Sequence, residues 1–195
     1  MPDRVHSADP RAERVRSQLR TAALALATER RVDEITVADL VARAAVSRQV
    51  FYRHFRDRDD AVAAAFTEAF AAAVAVGAGH DARTRITRLF GFAAEHRAMY
   101  RNVVPSSVMQ RVVAAFRAAL QPACETIAAQ GMAVVSQIAP LPAESLTRFL
   151  VGGFVEVLRS WMEDPEPTDL LARLTAALDT VDVLLGISPD LERNP

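Results

Sequence analysis

Apolar side chains recur at three- and four-residue steps through most of this chain, the spacing of amphipathic helices. Val15, Leu19, Ala22, Ala23 and Leu26 mark a first helix from Arg11 to about Arg31. Val37, Leu40, Val41 and Ala44 mark a second, opened by Thr36 and Asp39 at capping-box spacing. Ser47 is placed to cap a third. On a wheel of about 100° per residue, Val46, Val50, Phe51 and Phe55 share one arc of that third helix. Arg48, Gln49, Tyr52 and Arg53 share the opposite arc, with nothing apolar among them. Asp57 and Asp60 repeat the capping spacing and start a fourth helix, with Phe66 and Phe70 facing inward and Gly77 and Gly79 at its end.

The second half continues the pattern. Ile86, Leu89, Phe90 and Ala93 predict a fifth helix ending around Glu95 and His96. Pro105 then limits helix formation, before Val108, Val112, Ala115, Phe116 and Ala119 define a further one. Pro122 is expected to kink or split that helix and Gly131 to close it, leaving 131–142 as the expected loop. Two amphipathic helices finish the chain. One runs from about Ala143 to Glu163, with Leu146, Phe149, Leu150, Gly153, Phe154, Val157 and Trp161 on a wide apolar face. The other follows Pro165 and Pro167 and carries Leu170, Leu171, Leu174, Leu178, Val181 and Leu185.

Composition agrees with an all-α globular protein. Hydrophobic residues make up 51% of 195, a share that excludes a mainly disordered chain, and the seven glycines leave helix favoured nearly throughout. The net charge of −1 conceals an uneven distribution. Residues 1–60 carry 12 Arg against 10 acidic residues, and the remainder carries 11 against 14. All positive side chains are arginine. A modestly basic N-terminal part on an acidic body is compatible with nucleic-acid binding but is weak evidence alone. The single cysteine, Cys124, allows no intrachain disulfide and points to a reducing compartment. No signal-peptide core and no membrane-length apolar run is present, so a cytoplasmic location without membrane partners is expected.

The polar arc of the third helix has the chemistry to read DNA. Arg binds guanine bidentately in a major groove, and Gln does the same for adenine. A solvated amphipathic helix gives the same periodicity, so the wheel alone leaves both readings open. The run VSRQVFYRHF followed by RDRDDAV resembles the helix-turn-helix of the TetR family of bacterial transcriptional regulators. The later run AAEHRAMYR and the order of helices extend the likeness more loosely. Two positions depart from the family pattern: Ala45 stands where glycine is usual in the turn, and Val50 where threonine or another small residue is frequent.

The resemblance implies an N-terminal three-helix DNA-binding domain and a C-terminal helical domain for ligand binding and dimerisation. The corresponding division is a flexible arm over 1–10, the helix-turn-helix domain over 11–58, a connecting helix over 59–79 and the second domain over 80–195. It implies a homodimeric regulator, a repressor released from a palindromic operator in double-stranded DNA by a small-molecule effector. Arg48 and Gln49 would read base edges. Thr36, Ser47, Tyr52, Arg53, His54 and Arg58 complete the DNA-binding set, Arg58 through a phosphate. Arg4, Arg14 and Arg16 are further arginines within reach of phosphates, or else solvated. The late helices would form the dimer, with Leu150, Phe154, Leu171, Leu174 and Leu178 as interface candidates, although the same stripes equally describe an intramolecular core. Phe90, Tyr100, Met109, Phe116, Phe149 and Trp161, with Met132, are the ligand-pocket candidates, again with ordinary core as the alternative.

A competing function would be a helical ligand-binding or interaction module that does not regulate DNA. Enzymatic chemistry has no support. No glycine-rich phosphate loop, paired-histidine motif or cysteine cluster occurs, the four histidines lack metal-ligand spacing, and no cofactor is implied. Cys124 reads as a small buried hydrophobe, with a redox sensor as the alternative.

Overall fold

The structure, a computed structural model, describes residues 10–75, 81–104, 106–165 and 169–187. The N-terminal arm, Gly77, Gly79, Pro105 and Pro167 lie outside the described residues. The elements in order are α1 (Pro10–Glu29), a short 3-10 turn (Val32–Glu34), α2 (Val37–Arg43), α3 (Arg48–His54) and α4 (Arg58–Ala75). They continue as α5 (Ala82–Glu95), α6 (Arg97–Val103), α7 (Met109–Ile138), α8 (Ala143–Glu163) and α9 (Leu170–Leu184). No strand occurs among the described residues. The fold is all-α.

The chain divides into two compact units. The first extends to Ala69 and takes in Ala98–Val113, a segment that helix order alone assigned to the later domain. The second comprises Phe70–Arg97 and resumes at Ala114.

In the first unit, Leu19, Ala23 and Leu26 of α1 are buried with Leu40 of α2, Phe51 of α3 and Phe66 of α4. Met99, Tyr100 and Val103 of α6 join this core, with Phe66 and Tyr100 ring centroids 6.1 Å apart. The Asn102 amide donates to the carbonyls of Ala27 at 2.9 Å and Thr28 at 3.2 Å, satisfying acceptors that the end of α1 leaves free.

In the second unit, Phe70, Phe90, Phe116 and Phe154 are buried, and their rings meet edge-to-face at 5.5–6.4 Å. Such aromatic contacts add to the burial of apolar area. α9 packs against both α5 and α8. Arg83 ties α5 to α9 through Asp179 and, at 2.8 Å, Asp182.

α7 departs from its expected shape. It runs unbroken through Pro122 and past Gly131 to Ile138, so the expected loop shrinks to Ala139–Pro142. The buried run Leu120, Ala123, Cys124, Ile127 and Ala128 holds the helix on both sides of an exposed Pro122. Apolar burial there outweighs the hydrogen bond that proline removes. Gly131 serves packing instead of termination: a Cβ at that position would sit 2.9 Å from the Leu185 side chain. Cys124 is fully buried, and burial, with Glu125 adding to it, pushes its thiol up to about 12. A thiol held protonated in this way is a poor redox sensor.

Candidate nucleic-acid interface

The interface is built from two caps and a strained turn. The Thr36 hydroxyl accepts from the Asp39 N–H at 3.2 Å, while the Thr36 N–H donates to the Asp39 carboxylate at 2.8 Å. This is a complete capping box. Hydrogen bonds from Thr36, with Arg30 beside them at 3.0 Å, hold the Asp39 carboxyl down at about 2.

α2 ends in a Schellman motif: the Val46 N–H donates to the Val41 carbonyl at 3.0 Å and the Ala45 N–H to that of Ala42 at 3.3 Å. The motif requires a left-handed residue, and Ala45 adopts φ 54°. Its Cβ costs about 1–2 kcal/mol there. The tight turn forms without its usual glycine.

Ser47 then caps α3, accepting from the Val50 N–H at 3.3 Å. Phe51 and Phe55, 0% and 3% exposed, fix one side of this short helix in the core. The opposite side carries Arg48, Gln49, Tyr52 and Arg53, all exposed, with Tyr52 at 59%. His54 and Val50 are half-buried at its flanks. The Tyr52 ring stands edge-on to Phe51 at 5.3 Å, which braces its outward direction. Seven residues of helix therefore present one rigid polar face.

Ion pairing separates the arginines of this unit. Arg43 is committed to Glu29 by two hydrogen bonds of 2.8 Å, and Arg56 to Asp60 at 3.0 Å. No ion pair joins Arg48 or Arg53 to another described residue.

Arg58 has intramolecular partners that its sequence-based assignment did not include. Its Nη1 donates to the carbonyls of Val32, Asp33 and Ile35 at 3.0, 3.1 and 3.3 Å, and its Nε to Asp59 at 2.6 Å. The guanidinium is spent on the acceptors of the 3-10 turn, anchoring it to the start of α4. Sequence reasoning missed this role because the partners lie 23–26 residues away. Asp57 caps α4 as expected, accepting from the Asp60 N–H at 2.7 Å. Asp59 also accepts from the Ser107 hydroxyl, and Arg111 lies 3.7 Å from Asp60.

The bacterial regulatory protein model of the tetR family matches residues 19–65, which run from the second half of α1 through the first turns of α4. Over that segment the chain resembles the tetR family. Solved structures extend the likeness to nearly the whole fold. A TetR transcriptional regulator from Streptococcus agalactiae is 16% identical, with 88% of this chain and 95% of that one covered at a TM-score of 0.59. The dihydroxyacetone kinase operon activator DhaS is 13% identical, covering 89% and 97% at 0.68. The regulator FadR from Bacillus subtilis, solved in complex with stearoyl-CoA, is 15% identical, covering 89% and 99% at 0.62. The chain thus has the fold of tetR-family transcriptional regulators. No curated protein sequence matches it significantly.

The other sequence-based candidates fare differently. Phe90, Phe116 and Trp161 are buried in the second unit, whereas Tyr100 and Met109 belong to the first. Phe149 is 74% exposed. The six do not fall within a single unit; a helical stripe records burial, and both units have buried stripes. An open groove of about 730 Å³ in the second unit is lined by Arg117, Gln121, Glu125, Glu144, Thr147 and Arg148 among others, and by none of the aromatic candidates. Of the dimer candidates, Leu150, Phe154, Leu174 and Leu178 are at most 3% exposed and face their own core, and only Leu171 reaches the surface. Between the two readings of that stripe, the intramolecular one holds. Among the described residues, no helix is long and apolar enough to cross a membrane, and no cluster of His, Cys, Asp and Glu could hold a metal ion.

Proposed function

We propose that the protein is a homodimeric, sequence-specific DNA-binding transcriptional regulator, a repressor whose hold on a palindromic operator is relieved by a small molecule, and not an enzyme. The observation that carries this reading is the outward face of α3: Arg48, Gln49, Tyr52 and Arg53, unpaired and exposed on a helix fixed from behind by Phe51 and Phe55. Arg48 and Gln49 read base edges in the major groove. Thr36, Ser47, Tyr52, Arg53 and His54 hold phosphates and set register. In this division 11–58 binds DNA, 59–79 connects, and 80–195 receives the effector and the second copy.

Homodimerisation is supported by the outer surfaces of the late helices. α8 exposes Phe149, Gly152 and Gly153, and α9 exposes Val183 at 81% and Leu184 at 68%. Exposed apolar side chains beside small residues suit close helix–helix contact with a second copy. A small-molecule effector is supported by the stearoyl-CoA bound to FadR, another protein of this fold. Such a ligand acts only through its differential affinity for the DNA-competent and incompetent states.

Fluorescence anisotropy with a pool of mixed-sequence duplexes tests the site. The wild type is expected to bind with strong salt dependence. The triple variant Arg48→Ala, Gln49→Ala, Tyr52→Ala is expected to bind more weakly while unfolding at the same temperature. Equal binding by the two proteins would remove α3 as the reading element.

A further inference from the structure

α1 is outside the polar face just described, yet one of its arginines stands at the edge of that face. The Arg16 guanidinium lies over the Phe55 ring, 5.7 Å from its centroid. Phe55 is the C-cap of α3 and follows His54 directly. Arg16 is exposed, and no described carboxylate pairs with it.

One helical turn further along the same side, Arg20 is treated in the opposite way. It is drawn between Glu13, at 2.5 Å, and Glu68, and its side chain is only 15% exposed. The chain neutralises the inner arginine twice over and leaves the outer one uncompensated, held by an aromatic ring. Stacking restricts the rotamers of a long side chain without consuming its hydrogen-bond donors. A guanidinium fixed in this way still offers its planar donor fork, which suits a phosphate oxygen pair.

We propose that Arg16 is a positioning residue of the DNA interface, a preset clamp on the phosphate backbone at the C-terminal end of α3. The proposal rests on the reading of α3 as a DNA-contacting helix and adds α1 to it as a second anchoring element. Its ligand is the DNA backbone, without base preference. A fixed contact at one end of α3 would set the angle at which Arg48 and Gln49, at the other end, enter the groove.

The test is the salt dependence of binding to a mixed-sequence duplex long enough to span two major-groove turns. Wild type, Arg16→Gln, Arg16→Lys and Arg117→Gln are compared, the last removing the same charge from the second unit. Each lost phosphate contact lowers the slope of log K against log salt by about 0.9. Arg16→Gln is expected to show that loss for each bound chain, Arg16→Lys to restore the slope, and Arg117→Gln to match the wild type. A purely structural role for the stacked pair would instead lower the unfolding temperature and leave the slope untouched. An unchanged slope in Arg16→Gln, with wild-type binding intact, overturns the clamp and spares the α3 reading. Absence of salt-dependent binding by the wild type overturns both.

Discussion

At the residue scale the site turns on which side chains are free and which are spent. Arg48 and Arg53 look like Arg43, Arg56 and Arg58 in the sequence. Their difference is the presence of Glu29, Asp60 and three backbone carbonyls at the right distance. The wheel separated the outward arc of α3 correctly because a short helix pinned by Phe51 and Phe55 has one way to lie. It was blind to Arg58, whose partners come from a 3-10 turn that no periodicity announces. Ala45 is the opposite case, since the departure from glycine was legible, and the structure adds its consequence, the positive φ. Replacing Ala45 with Gly removes the Cβ conflict but adds unfolded-state entropy. The expected result is a modest gain, up to about 1 kcal/mol, seen as a higher urea midpoint with an unchanged slope. A lower midpoint would show that the turn carries no strain.

At the element scale, caps and anchors make short helices dependable. α2 and α3 have seven residues each, too few to persist alone in water. Thr36, Ser47 and the Schellman turn satisfy their ends; the two caps were readable from local spacing, the turn only through the family resemblance. The link from the 3-10 turn to α4 was not. Arg58→Ala should leave three carbonyls without their charged donor, and a single hydrogen bond to a charged group is worth roughly 1.5–3 kcal/mol. A fall in thermal stability is therefore expected, with the salt dependence of DNA binding kept. A variant of wild-type stability whose salt slope has dropped would return Arg58 to the phosphate-contact role. α7 shows why breakers mislead in a long helix. Pro122 read as a kink or a split and Gly131 as an end, yet the apolar stripe from Leu120 to Ala128 and the close approach of Leu185 to Gly131 carry the helix through both.

At the scale of the whole molecule, the sequence distinguished apolar stripes but could not tell a core from an interface. Leu150, Phe154, Leu174 and Leu178 were candidates for pairing two copies and instead fill the second unit. The residues that remain for a partner are Phe149 and Leu171, which the stripes included, and Val183 and Leu184, which they did not. If that surface joins two copies, Phe149→Asp should convert a dimer to a monomer in sedimentation velocity without loss of helix content. A wild-type monomer at micromolar concentration would contradict the dimer. Pairing two copies also gives the central claim its geometric form, because two recognition helices about 34–36 Å apart require two half-sites one helical turn apart.

Selection of bound sequences from a random duplex pool, run on the wild type beside Arg48→Ala, tests that claim most directly. The wild type should enrich a palindrome. Arg48→Ala should lose preference at one base position in each half-site, at a cost of roughly 1–3 kcal/mol in specific affinity. Enrichment of no sequence by the wild type, or of an identical palindrome with undiminished affinity by Arg48→Ala, would contradict the reading of α3 as the element that recognises DNA.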